Sequence, residues 1–152
     1  MEEKIFEYPN INETAFSINL LGLNLNVQWY GLSYIAGILL AWFFMAKLVK
    51  NKDLWFAGQS IIERSEVDDL ITYMILGIII GGRLGYCLFY TPGYYFENPI
   101  RIIYVWEGGM SFHGGFLGVL MSGALYGLRK KINLWSLGDL IAFASPPGLF
   151  FG

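Results

Sequence analysis

Leu70-Ile71-Thr72-Tyr73-Met74-Ile75-Leu76-Gly77-Ile78-Ile79-Ile80-Gly81-Gly82-Arg83-Leu84-Gly85-Tyr86-Cys87-Leu88-Phe89-Tyr90 is the stretch that decides the fold. Its one charge is Arg83. Wound as a helix it extends about 30 Å, the thickness of a hydrocarbon core. Gly77, Gly81 and Gly85 fall four apart on one helix face, the small-residue spacing that lets two membrane helices pack closely. The stretch therefore predicts a transmembrane helix with a helical neighbour.

Working outward, three further runs have the same character. Residues 27–46 are uncharged, with Trp29, Tyr30 and Tyr34 gathered at one end and Lys47, Lys50 and Lys52 closing the other, the distribution of a span between two interfaces. Residues 113–128 run from the only histidine, His113, to the basic Arg129-Lys130-Lys131. In that run Gly114, Gly118 and Ser122 again place small residues four apart, and Gly123 and Gly127 add another pair. Residues 136–152 form a fourth apolar run, with Asp139 expected in its first turn and Pro146-Pro147-Gly148 within it. Before the first span, residues 16–27 alternate apolar and polar around Leu21-Gly22, which predicts a short hairpin at the membrane face. Between the second and third spans, residues 91–112 read as an aromatic-rich surface loop with a short interfacial helix. Ser65, with Asp68 three residues on, is placed to cap the second helix. The expectation is one all-α integral membrane domain over residues 1–152, a polytopic bundle of four transmembrane helices.

Composition agrees. The 152 residues are 55% hydrophobic and only 14% charged, against about 25% charged in ordinary soluble domains. No basic run with interleaved aromatics offers itself to nucleic acid. Cys87 is the only cysteine, which excludes an internal disulfide and a thiolate metal cluster and leaves a packing role. The opening Met1-Glu2-Glu3-Lys4 lacks the basic head of a signal peptide, so the first span is expected to be retained. No paired intramembrane charges and no internal repeat point to a transporter.

Counting basic residues orients the bundle. With the first helix running outside to inside, the inner loops hold Lys47, Lys50, Lys52, Arg64, Arg129, Lys130 and Lys131, and the outer segments only Lys4 and Arg101. The bias predicts an outside N-terminus. Tyr30, Arg83 and His113 then stand on three helices in the outer part of the membrane. An arginine at such depth is costly unless it snorkels, pairs or lines a wet cavity, and guanidinium is shaped to bind phosphate through two parallel bonds. Each residue also has a plainer use. Arg83 can reach the headgroups or pair with Glu107 or Glu97, Tyr30 can be an interface aromatic, the glycines can serve packing, and Asp139 can favour its helix dipole. Together, a phosphate-shaped cation, a proton-transfer group and a phenol suit chemistry on a phospholipid headgroup.

Three segments carry a family resemblance: Trp29-Tyr30-Gly31-Leu32, Gly81-Gly82-Arg83-Leu84-Gly85-Tyr86, and Trp106-Glu107-Gly108-Gly109-Met110-Ser111-Phe112-His113-Gly114-Gly115-Phe116-Leu117-Gly118. In order and spacing they resemble the prolipoprotein diacylglyceryl transferases of bacteria, and the resemblance runs over essentially the whole chain. It implies a multi-pass enzyme of the inner membrane with seven transmembrane helices and its N-terminus outside. Such an enzyme moves the diacylglyceryl group of phosphatidylglycerol onto the lipobox cysteine thiol of a prolipoprotein, as a monomer, with no metal or organic cofactor. Under this resemblance His113 and Tyr30 are the expected catalytic residues. His113 would take the thiol proton, since imidazole exchanges protons near neutral pH, or keep the thiolate in place, and Tyr30 would donate a hydrogen bond to the headgroup. Arg83 and Glu107 are expected at the substrate, with Arg83 on the phosphate or ordering the site. Gly114 and Gly115 are expected to let lipid or peptide backbone approach.

The family continues beyond this point with an Arg-rich stretch and further helices. The expectation is therefore an N-terminal portion that has little or no transfer activity alone, with glycine faces awaiting partners from the rest. The alternative is a non-catalytic lipid-binding or assembly protein on the same scaffold.

Overall fold

The structure, a computed structural model, describes residues 14–20, 23–55 and 58–151. The acidic N-terminal residues 1–13 and the expected hairpin tip at Leu21-Gly22 lie outside the described residues. The hairpin itself is present. Strand β1 (Thr14–Leu20) pairs antiparallel with β2 (Leu23–Gln28), Ser17 opposite Asn26 and Asn19 opposite Asn24. β2 runs without a break into helix α1 (Trp29–Lys50).

A short 3-10 turn, Lys52–Leu54, leads away from α1, and α2 (Glu66–Phe89) follows. Glu66, Asp68 and Asp69 occupy the first turn of α2, and Lys47 and Lys50 the last turn of α1, both favourable to the helix dipoles. Ser65 stands at the head of α2 but does not cap it. Its own backbone is already helical, and its hydroxyl donates to Glu63 instead. The Glu66 carboxylate accepts from the Glu63 N–H at 3.0 Å, tying the residues before α2 to its first turn. The segment 91–112 forms the short helix α3 (Pro92–Glu97) and two 3-10 turns, Pro99–Ile103 and Val105–Glu107. Helix α4 (Phe112–Lys130) crosses back beside α2. The last run divides into α5 (Leu134–Ala144) and α6 (Pro146–Phe151). It opens two residues earlier than the sequence suggests, because Asn133 caps it by accepting from the Trp135 and Ser136 N–H groups. Asp139 consequently falls in the second turn, outside the region where the dipole is strong.

Among the described residues, three stretches are long and apolar enough to cross a membrane: Trp29–Lys50, Glu66–Phe89 and Leu134–Phe151. α4 has the length but is not one of them. His113, Arg129 and Lys130 and five glycines dilute its apolar content. The chain is thus a helical membrane protein by length and composition.

The α2–α4 contact explains the glycines. The two helices run antiparallel, and their small residues interlock. A Cβ added at Gly77 would meet the Gly118 carbonyl and Ser122 Oγ at 2.5 Å, and one at Gly85 would meet Gly114 Cα at 2.8 Å. At Gly81 and Gly118 the opposing backbone stands closer still. The spacing in the second span and the spacing in the third are therefore the two halves of one seam. They are partners to each other, and neither face is left waiting. α1 uses the same device against α6, where a Cβ at Gly37 would lie 2.8 Å from Gly148 Cα.

The packed core gathers at the basic end of the bundle. Met45 and Val49 of α1, Val67, Leu70 and Met74 of α2, Tyr126 of α4 and Leu137, Leu140 and Ala144 of α5 are all buried there. Polar groups close this end. Lys130 donates to Glu66 at 2.9 Å, which holds its ammonium above the usual lysine range. Trp42 Nε1 donates to Asp68, whose carboxylate also pairs with Arg64. The Tyr126 hydroxyl, on a side chain 1% exposed, donates to the Glu66 carbonyl at 3.1 Å. Tyr126→Phe is expected to lower unfolding stability by about 1 kcal/mol, the net value of such a bond. Denaturant titration in detergent micelles would measure it, and an unchanged midpoint would show the bond to be idle.

Candidate active site

His113 owes its position to the five residues before it. Gly108 and Gly109 both have φ of 82°, a left-handed backbone that glycine adopts without steric cost. The turn they make returns the chain to α2, where the Ser111 N–H donates to the Gly82 carbonyl at 2.9 Å. Ser111 then caps α4, its hydroxyl accepting from the Gly114 N–H at 3.2 Å. The first two residues of the helix are Phe112 and His113. The imidazole is exposed, and its described contact is the edge of the Phe112 ring, with centroids 5.9 Å apart. An exposed imidazole on a fixed helix head is free to accept a proton from an incoming group.

Arg83 is placed quite differently. Only 3% of it is exposed. Nε donates to the Ile102 carbonyl at 2.9 Å and Nη2 to the Arg101 carbonyl at 2.7 Å. Nη1 donates to the carbonyls of Gly108 and Gly109. The guanidinium lies 5.2 Å from the centre of the Tyr95 ring. It neither snorkels nor pairs with Glu107 or Glu97. Backbone carbonyls of the connecting segment satisfy it, which is how a buried cation avoids its desolvation cost.

Glu107 pairs with Arg101 instead, at 3.2 Å and 3.3 Å to its two oxygens. Both side chains are partly exposed, so the pair contributes little to stability. It sits on the same segment that Arg83 holds. Gly114 and Gly115 face α2. A Cβ at Gly114 would strike the Gly81 carbonyl, and one at Gly115 would lie 3.8 Å from the Ile78 carbonyl. The backbone that comes close to them is the neighbouring helix. Tyr30 is exposed in the first turn of α1 and donates to the Tyr34 hydroxyl at 2.9 Å. Its described hydrogen bonds and ring contacts do not reach Arg83 or His113.

The structure thus joins Arg83, Glu107, Gly114 and His113 through one clasped segment and leaves Tyr30 on a separate helix. Ser111 and Tyr95 belong to the site and escaped sequence reasoning. Ser111 carried a readable signal, a serine three residues before the glycine whose N–H it caps. Tyr95 carried none beyond its place in an aromatic cluster.

These features define a helical membrane protein with one exposed imidazole at the head of a glycine-fused helix pair. A sequence model described as prolipoprotein diacylglyceryl transferase matches residues 16–152. Three relatives, each named phosphatidylglycerol–prolipoprotein diacylglyceryl transferase, are similar over most of the chain. That of Roseobacter denitrificans is 46% identical over 145 residues, covering 95% of this chain and 49% of the relative. That of Ruegeria pomeroyi is 44% identical over 150 residues, covering 99% and 51%. That of Phenylobacterium zucineum is 48% identical over 128 residues, covering 84% and 44%. The chain belongs to the prolipoprotein diacylglyceryl transferase family. It spans about half the length of these relatives.

Proposed function

We propose that this chain supplies one part of a phosphatidylglycerol–prolipoprotein diacylglyceryl transferase of the bacterial inner membrane. The observation that carries the proposal is the exposed His113, capped in place by Ser111 within the family's matched region. In the proposed reaction the lipobox cysteine gives its thiol proton to His113. The thiolate sulfur attacks the glyceryl carbon that bears the phosphate ester. A C–S bond forms, the C–O bond to phosphate breaks, and glycerol phosphate leaves with the electron pair. The thiolate is the competent nucleophile, so proton removal is the step that an imidazole accelerates. Tyr30 turns its one O–H from Tyr34 to donate a hydrogen bond to the headgroup from α1. Arg83, Gly114 and Gly115 act by fixing the segment and the seam that carry His113, and Glu107 stands at the rim. The proposed architecture is a single membrane domain of four spans, with α4 shielded from lipid along its glycine face. It has an outside N-terminus and forms part of a seven-helix monomer.

Complementation tests this in a bacterium depleted of its own transferase. The chain alone is compared with the chain fused to the part of the Ruegeria pomeroyi relative that the match leaves uncovered. Rescue by the fusion only is the expected result. Rescue by the chain alone would show that its 152 residues hold a complete site. Rescue by neither, with both proteins in the membrane, would favour a non-catalytic scaffold.

A further inference from the structure

Arg83 is the most heavily engaged side chain among the described residues, and every acceptor it uses lies in one short segment. Its three nitrogens reach the carbonyls of Arg101, Ile102, Gly108 and Gly109, and its face covers Tyr95. A guanidinium already bonded on both edges and 3% exposed has no free fork to offer a phosphate. We propose that Arg83 is a positioning residue: it clasps the 101–109 segment to α2 and thereby sets the place of His113, without itself meeting the lipid phosphate. The proposal rests on the reading above only in giving His113 its chemical task.

Three details support the clasp. Within itself the segment has two 3-10 turns and the partly exposed Arg101–Glu107 pair, so the buried bonds from Arg83 are its firm tie to α2. Two of the bonded carbonyls belong to the positive-φ residues Gly108 and Gly109 themselves, the point from which the chain returns to α2. The return is completed by the bond from Ser111 to Gly82, the neighbour of Arg83, and Ser111 caps the helix that begins Phe112-His113. Arg83 therefore acts on the imidazole through at most four residues of backbone, Gly109 to Phe112. Lysine cannot replace it, because an ammonium presents a compact point charge in place of a planar fork with five donors.

The test uses the whole chain in lipid nanodiscs and reads the segment directly. Amide exchange is followed by mass spectrometry at Arg101, Tyr104, Glu107 and Ser111, whose N–H groups are bonded in the clasped state. Carbethoxylation by diethyl pyrocarbonate is followed at His113, the only histidine, as a function of pH. Arg83→Lys is expected to raise exchange at these amides roughly tenfold or more, to change the rate and pH profile of His113 modification, and to leave α1 and the core of α2 unchanged. Gly109→Ala, which would strike the Tyr86 ring and force a strained φ, is expected to give the same pair of effects from the other side of the clasp. It keeps the test open if Arg83→Lys does not accumulate. Unchanged exchange and unchanged His113 reactivity in either folded variant would overturn the proposal. So would protection of the wild-type segment that appears only when the nanodisc contains phosphatidylglycerol, since Arg83 would then be answering to the lipid. None of these readings requires transfer to occur, so a failed clasp and a failed transferase assignment are told apart.

Discussion

Gly118→Leu is expected to part α2 from α4. A Cβ at Gly118 would fall on the Gly77 carbonyl, with the Gly77 carbon 2.7 Å away and Gly81 Cα 3.2 Å away. All three neighbours are helix backbone, so no rotamer change can make room. Gly118→Ala should already cost about 1–3 kcal/mol, the usual penalty for overpacking, and Gly118→Leu should exceed it and abolish the seam. Gly31→Ala is the control, because nothing lies within 4 Å of its added carbon. That variant should be neutral or gain up to about 1 kcal/mol from the helix preference of alanine. Reversible unfolding in mixed micelles measures all three. Equal stability of the alanine variants at 118 and 31 would mean that the helices do not approach this closely.

Loss of the imidazole should be as damaging to chemistry as Gly118→Leu is to structure. In the fusion described above, His113→Ala is expected to lower transfer by roughly 10²–10⁴-fold, the usual contribution of a positioned general base. Stability should move by less than about 0.5 kcal/mol, as for other exposed positions away from packing features, because the imidazole touches only the Phe112 ring among described contacts. The two measurements are made on one preparation: thioether formation on a lipobox peptide in phosphatidylglycerol vesicles, and thermal unfolding. Full transfer by the alanine variant would remove His113 from the reaction, while loss of both transfer and folding would assign it to structure.

The seam was legible in the sequence because glycine leaves a pattern. Gly77, Gly81 and Gly85 announce a close approach, and Gly114, Gly118 and Ser122 announce another. What spacing cannot say is that the two patterns meet each other, since either would serve an absent helix equally well. The hairpin was legible from alternation. The surroundings of Arg83 were not, for a physical reason: its acceptors are peptide carbonyls, which every residue carries and no side chain advertises. A search for carboxylates naturally offered Glu107 and Glu97, and Glu107 had meanwhile been taken by Arg101. The uncharged run from 113 to 128 placed His113 at a helix head, where the structure has it. It could not reveal that Gly114 and Gly115 are occupied by α2, because a bare backbone admits a neighbouring helix as readily as a ligand.

The clasp also has a consequence for biosynthesis. The carbonyls that satisfy Arg83 lie 18 to 26 residues downstream of it. At a synthesis rate of about 5–20 residues per second, the guanidinium waits on the order of a second or more for its last acceptor. Inserted alone during that interval, α2 would carry an unmet charge six residues from its outer end, at a cost below the about 2.5–3.5 kcal/mol that the translocon sets at a helix centre. Delayed until the segment has emerged, α2 would enter the bilayer with the arginine already met by the carbonyls of 101–109. The distance between one arginine and its carbonyls thus favours late entry of α2 over early.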